Sequence, residues 1–498
     1  MTGSIQRAVL PRWWDPARAF VALYESSPYA FWLDAGEGAE TGVSYLAEAA
    51  PGSRFVTASV PDGTVTVTVV GAPDPSVEPT PAITSPETIF EFLREDLARR
   101  AALDDTTEQG FRLGWVGWLG YELGAQTVGT PVHVSRYPDA ALLEVNRALV
   151  FDPAARTVTA LIHVPSGSAE KGTVDGAGSA EDWARAVSAT LRASPEPVPA
   201  DAARPVPVDA SQPLAHWRHD AERYAELILR CQASIREGDA YQLCLTNEIR
   251  IDARPDPVVA YLALRAGSPS HHGGLLRFGA TALLSASPEQ FLAVTRDGLV
   301  TTKPIKGTSP RGGTAALDDE LRAGLESSEK ERAENLMIVD LMRNDLGRIA
   351  KLGSVTVSSL LAVESYAHVH QLVSTVEARL APGLSSVDAV AACFPAGSMT
   401  GAPKISAMTL LDDLEEGPRG IYAGAFGYVG LDGAVDLAMV IRSIVLDGDG
   451  ASIGTGGGIT ALSVPASEIE ETRIKAAALL DALGAGTAPT RRRHPGIE

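Results

Sequence analysis

The chain has 498 residues, 45% of them hydrophobic and 21% charged, which is ordinary globular composition with room for one large core or two domains. A formal net charge of -20 repels nucleic acid and anionic membranes, and it makes any anionic substrate depend on local cations or a metal. No apolar run reaches transmembrane length and no basic-then-apolar leader follows Met1, so a soluble, cytoplasmic protein is expected.

From the N-terminus, residues 53–70 alternate apolar and polar positions around Pro61-Asp62-Gly63, which predicts a β-hairpin. A second hairpin is expected over 144–163, turning at Asp152-Pro153, and consecutive hairpins imply antiparallel sheet. Residues 165–212 are rich in Ser, Gly, Ala, Pro and Glu and read as a linker or surface excursion, with a helix inside 181–193. The chain thus divides into 1–164, the linker, 213–485, and a disordered tail over 486–498 containing Arg491-Arg492-Arg493. An amphipathic helix is expected over 216–237, then strands at 241–251, 281–286, 290–296 and 299–305, and a long helix over 326–346. Strands near 372–380, 421–430, 436–447 and 450–454 follow, and a helix over 466–484 closes the region. Strand clusters mixed with long helices predict an α+β layered sandwich. Cys231, Cys244 and Cys393 are too few and too irregular for a disulfide framework or a zinc site, and none stands as a glutaminase nucleophile would.

At 100° per residue, Glu331, Glu334, Ile338, Leu341 and Met342 share one stripe of the long helix, with Lys330 outside its centre. The same arithmetic groups Glu468, Glu471, Lys475, Ala478 and Leu479 on the last helix. Two Glu-x-x-Glu pairs on apolar faces need counter-charge, because buried unpaired carboxylates are costly. A hard divalent cation, best Mg²⁺, answers this, and ion pairs with Arg332, Arg343 or Lys475 are the alternative.

The run Pro304-Ile305-Lys306-Gly307-Thr308 reads as a strand ending in a turn, so Lys306 emerges near a strand end. Partial desolvation there would lower its pKa and make it a nucleophile; a solvated surface lysine is the bland alternative. Glu289, in Ser287-Pro288-Glu289, becomes a general acid if burial raises its pKa, and is otherwise a turn residue. Gly454-Thr455-Gly456-Gly457-Gly458 reads as a glycine-rich segment after a strand, fit for backbone N–H contacts to an anion or simply for a tight turn. Arg442 ends an apolar strand and can grip a carboxylate bidentately or form a structural ion pair.

These segments match a known family. Ser287-Pro288-Glu289, Pro304 through Thr308, Lys330 through Gly347, Ala396 through Lys404, Ile441-Arg442-Ser443, Gly456-Gly457-Gly458 and Glu470-Glu471-Thr472 with Lys475 resemble the chorismate-utilising enzymes over residues 213–484. Residues 14–163 resemble the family's looser N-terminal region, that of anthranilate synthase component I. The resemblance implies the family's layered fold and Mg²⁺ held by Glu331, Glu334, Glu468 and Glu471 against the ring carboxylate of chorismate. It implies Lys306 as the nucleophile at C2 and Glu289 as the acid at the C4 hydroxyl. Tyr422, Arg442, Ser398, Thr308 and the glycines at 456–458 would hold substrate, and Lys475 would balance Glu471.

Two positions separate the family's reactions. Anthranilate-forming members carry Ala at the place of Lys306, and aminodeoxychorismate-forming members resemble this chain in carrying Lys. Water-adding members carry a basic Lys at the place of Gln242. The implied activity is amination of chorismate at C4 to 4-amino-4-deoxychorismate, with ammonia from a glutamine amidotransferase subunit. The rival readings are an anthranilate or 2-amino-2-deoxyisochorismate synthase component, or a non-catalytic homologue acting as a binding subunit. Gln371 stands where anthranilate-forming members carry a His tied to pyruvate elimination, and Asn335 stands at another family His. Many relatives bind tryptophan near the segment matching Phe31-Trp32-Leu33-Asp34 and Ser44-Tyr45; Asp34 replaces their Ser, so no tryptophan binding is expected.

Overall fold

The computed structural model describes residues 3–70, 81–100, 110–165, 179–194, 213–366 and 369–485, which fold into two twelve-stranded sheets with helices outside them. The expected disordered tail and most of the expected linker lie outside the described residues; the linker helix is present as Ala180–Ala193.

Both hairpins form. Ser53–Ser59 pairs antiparallel with Thr64–Val70, and Arg147–Asp152 pairs with Thr157–Pro165. In each sheet the strands before residue 212 form one block and those after it another, and a single pairing joins the two blocks. In the first sheet Tyr29–Asp34 pairs with His272–Phe278, and in the second Gly114–Leu119 pairs with Ala425–Gly430. The apolar faces of the two sheets meet in a shared core, where Phe31, Leu33, Val116 and Trp118 pack with Leu276, Leu283 and Phe426.

Several expected elements are divided, and the divisions place the site. The stretch expected as one strand over 436–447 is two strands, Val435–Met439 in the second sheet and Ser443–Asp447 in the first. The chain crosses between sheets there, and Arg442 takes a left-handed φ of 51°. A second crossing runs from Thr281–Ser287 in the first sheet to Gln290–Val294 in the second, passing through Glu289. The crossings lie side by side: the Ala286 N–H donates to the Arg442 carbonyl at 3.0 Å, and the Met439 N–H to that of Glu289 at 3.0 Å.

The expected 299–305 strand is also two, Leu299–Thr302 and Ile305–Pro310. The long helix begins at Glu329 and runs to Gly347, because Ser328 caps it by accepting from the Glu331 N–H and closes a separate helix, Ala315–Ser327. The glycine-rich segment is strand rather than turn. It forms the second half of Gly450–Ile459, paired with Gln242–Ile251 along its length. Glycine serves close approach here: a Cβ at Gly454 would collide with the Tyr422 ring, at Gly456 with the Leu245 carbonyl, and at Gly458 with the Gln242 carboxamide.

Candidate active site

The helix Glu329–Gly347 packs on the second sheet, against Val369–Arg379 and Ile305–Pro310, and the helix Pro465–Ala482 packs on the first, against Gly450–Ile459. Ile338 and Met342 are buried on one, and Leu479 on the other, so the predicted stripes do face inward. Glu331 and Glu468 fall in the first turns of their helices, where the dipole favours carboxylates.

The four glutamates share one electrostatic neighbourhood. Burial pushes the Glu334 carboxyl up, against Lys306 and Lys330, and Glu331 and Glu471 push the same way. Burial likewise raises Glu468, with Glu471 and Glu334 adding to the effect and a hydrogen bond from Ser463 opposing it. Glu471 is held below its usual range despite burial, by Lys475, whose Nζ lies 2.7 Å from Glu471 Oε1. Lys475 Nζ also donates to the Gly456 carbonyl at 2.7 Å. Gly457 completes this corner, since a Cβ there would stand 3.2 Å from Glu468 Oε2 and 3.8 Å from Glu471 Oε1.

Lys306 lies within this group, in the field of Glu334, Glu289 and Glu471. Its pKa runs against the sequence expectation. Burial alone would lower it, but Glu334, Cys244, Glu289 and Glu471 together raise it above the ordinary lysine value. Glu289 is buried, and burial raises its carboxyl, opposed by Lys306 and by hydrogen bonds from Ser398 and the Ile305 N–H. On the far side Arg442 and Tyr422 influence each other's ionisation. Burial lowers the Arg442 pKa against Tyr422 and Glu471, and its guanidinium makes no ion pair among the described residues.

Gln242 is 1% exposed, and neither its Nε2 nor its Oε1 has a hydrogen-bond partner. Gln371 is buried with its Oε1 unpartnered. Asn335 is fully engaged, donating to the Pro304 and Leu372 carbonyls and accepting from Ser374, which ties the acidic helix to the lysine strand. Thr308 pairs in backbone register with Gln371 but is exposed rather than buried with the cluster.

Two participants escaped sequence reasoning. Lys330, placed outside the helical stripe, is the cation that all four glutamates influence. Cys244 sits in the field of Arg419, Lys306 and Lys475. The i, i+4 spacing of Lys330 and Glu334, 3.9 Å apart in the structure, was the available signal for the first.

Among the described residues no three His, Cys, Asp or Glu side chains close on one point as a metal cage. The donor set still fits Mg²⁺. It offers oxygen ligands alone, Glu334 and Glu468 each feel like charge from the other helix, and Mg²⁺ keeps several of its own waters.

A cavity of about 800 Å³ lies elsewhere, lined by Leu33, Asp34, Tyr45, His271, Tyr428 and Asp436 among others. Its lining does not include Lys306 or the paired glutamates. Asp34 is already engaged there by Arg265 at 2.6 Å, Tyr261 at 3.0 Å and the Gly36 N–H at 3.0 Å.

The family model described as chorismate binding enzyme matches residues 55–481. The chain belongs to the chorismate-binding enzyme family. It is 46% identical over 494 residues to an aminodeoxychorismate synthase of Streptomyces griseus, covering 98% of this chain and 65% of that protein. It is 43% identical to an aminodeoxychorismate synthase of Streptomyces pristinaespiralis, covering 97% and 64%. This family member therefore spans slightly less than two thirds of the length of these two relatives. It is also 34% identical to anthranilate synthase component 1 of Haloferax volcanii, covering 94% and 91%. Among solved structures, anthranilate synthase component I from Streptococcus pneumoniae superposes with a TM-score of 0.70 at 28% identity, covering 89% of this chain and 93% of that one.

Proposed function

We propose that the protein aminates chorismate at C4, giving 4-amino-4-deoxychorismate. The observation that carries this reading is that Lys306 lies in the field of Glu289 and of carboxylates on both acidic helices. The relatives named aminodeoxychorismate synthase support it.

When bound, Mg²⁺ supplies positive charge that anchors the substrate's ring carboxylate and offsets Glu331, Glu334, Glu468 and Glu471. Burial favours the neutral, nucleophilic form of Lys306, and the field of Glu334, Cys244, Glu289 and Glu471 opposes it. The Lys306 amine bonds to C2, the ring double bonds shift, and the C4–O bond breaks as Glu289 gives its proton to the leaving hydroxyl. Ammonia then bonds to C4, the double bonds shift back, and the C2–N bond to Lys306 breaks. Burial keeps Glu289 protonated to higher pH than an exposed glutamate, as an acid in this role requires. Arg442 is free to grip the enolpyruvyl carboxylate beside Tyr422. Gln242 has no basic group with which to activate water.

Ammonia is supplied by a glutamine amidotransferase partner. All three cysteines are buried, and burial pushes the Cys231 and Cys393 thiols up to about 12, so neither offers a thiolate for glutamine hydrolysis.

Incubation with chorismate, Mg²⁺ and ammonium, followed by the lyase that releases p-aminobenzoate, tests the reading. p-Aminobenzoate is the expected product. Anthranilate in its place would move amination to C2, and no turnover with any nitrogen source would leave a non-catalytic binding subunit.

A further inference from the structure

A second cluster of buried polar groups lies outside the charged site. Tyr121 and Glu122, in the turn Tyr121–Leu123, line a small cavity with His133, Asp412, Glu415 and Arg419. There is about 10 Å³ of room for a water-sized molecule, enough for one such occupant.

Two lining groups lack partners. Glu122 is 2% exposed; its Oε1 accepts the Arg419 N–H at 2.8 Å and the Gly420 N–H at 3.2 Å, and its Oε2 accepts nothing. The Tyr121 hydroxyl is also buried without a partner. Burial raises the Glu122 carboxyl to about 7, so above neutral pH it is ionised, its Oε2 only accepts, and an occupant beside it must donate. The lining charge favours a cation. Arg419 and Glu415 neutralise each other through bonds of 2.8 Å, while Glu122 and Asp412 bring two further carboxyls against the single His133. Hard metal ions ask for about six oxygen ligands. An ammonium ion, of water's size and carrying four N–H donors, asks for fewer.

The cavity is one side chain away from the proposed site. Arg419 donates to the Met399 carbonyl at 2.6 Å and to the Cys244 carbonyl at 2.9 Å. Met399 follows Ser398, which bonds Glu289, and Cys244 lies two residues from the unpartnered Gln242. On the other side His133, 38% exposed, opens the cavity toward solvent.

We propose that this cavity is an ammonium site, in which the Glu122 carboxylate and the Tyr121 hydroxyl hold the cation before its nitrogen passes inward. Ammonium's role as substrate rests on the amination proposed above; the site rests on the cavity alone.

Thermal unfolding of the full chain in ammonium, potassium, sodium and tetramethylammonium chlorides at equal ionic strength reads binding without chemistry. Ammonium should raise Tm above the other salts, Glu122→Gln should abolish that rise, and Tyr121→Phe, which keeps the ring under Arg419, should weaken it. In turnover, Glu122→Gln should raise KM for ammonium about tenfold or more and leave KM for chorismate unchanged. A Tm that ignores the cation, or a rise that survives Glu122→Gln, would overturn the site in favour of a structural water. Potassium matching ammonium would overturn it in favour of an alkali-ion site. If Glu122→Gln does not fold, Tyr121→Phe decides, and an undiminished ammonium effect in that variant sinks the proposal. An intact ammonium effect in a protein that never aminates chorismate would leave the site standing and remove the amination.

Discussion

Lys306 and Glu289 face opposite demands in one electrostatic environment. In the proposed reaction the lysine loses a proton to attack, yet the carboxylates around it raise its pKa; the glutamate keeps a proton to donate, and burial favours that form. Lys306→Ala removes the nucleophile, so C4 amination should vanish, and no adduct on the chain should appear by mass spectrometry when chorismate is given without ammonia. Retained activity in that variant would end the covalent route. Glu289→Gln keeps size and polarity but holds no transferable acid proton, so kcat should fall by about 10²–10⁴-fold. Because the acid must be protonated, wild-type activity should decline as pH rises through the raised Glu289 pKa. A wild-type profile without that alkaline limb would remove Glu289 as the acid.

The acidic helices and the glycine strand act together. Glu334→Gln or Glu471→Gln takes one negative charge from the gap between helices, so the Mg²⁺ concentration for half-maximal rate should rise while the circular dichroism spectrum stays unchanged. An unaltered Mg²⁺ requirement would remove these residues from the ligand set. Along Gly450–Ile459 the glycines separate by what they face. Gly454→Ala drives a methyl into the Tyr422 ring and should destabilise the fold by about 1–3 kcal/mol, read in urea. Gly457→Ala has the ends of Glu468, Glu471 and Lys475 as its nearest neighbours, at 3.2 to 3.9 Å, and should cut turnover with little change in Tm.

Over the whole molecule, each sheet joins a block of strands from before residue 212 to a block from after it, and one core spans the joint. Unfolding should be a single transition, and a fragment of residues 213–485 should not fold alone, since it would expose the edges that Tyr29–Asp34 and Gly114–Leu119 cover. A soluble fragment with native circular dichroism would contradict this. Asp436 adds a pH dependence. Burial raises its carboxyl to about 6, while Gln290 donates to it at 3.0 Å. Its contribution is complete below pH ~4 and is lost as pH rises through the folded-state value. Asp436→Asn should therefore gain on the order of 1–3 kcal/mol over wild type at pH 7 and nothing at pH 4. Equal gains at both pH values would show that the charge is not the cause.

Local pattern was enough for much of this protein. Period-two alternation marked the hairpin at 53–70, helical spacing put Glu331 with Glu334 and Glu468 with Glu471 on inward faces, and the ordered motifs indicated the family. Both signals depend on residues within a few positions of one another, which is the range over which backbone periodicity acts. Tertiary structure decided the rest. Alternation reads the same whether a strand stays in its sheet or leaves it, so the crossings at Glu289 and Arg442 were invisible in sequence. The glycines of 454–458 left both an anion contact and a tight turn open, because the ring and carbonyl that exclude side chains there come from Tyr422 and Leu245, far along the chain. The Lys306 pKa changed direction for the same reason: burial is a local expectation, but the carboxylates that outweigh it arrive on helices from both sheets, and Coulomb energy follows distance in space.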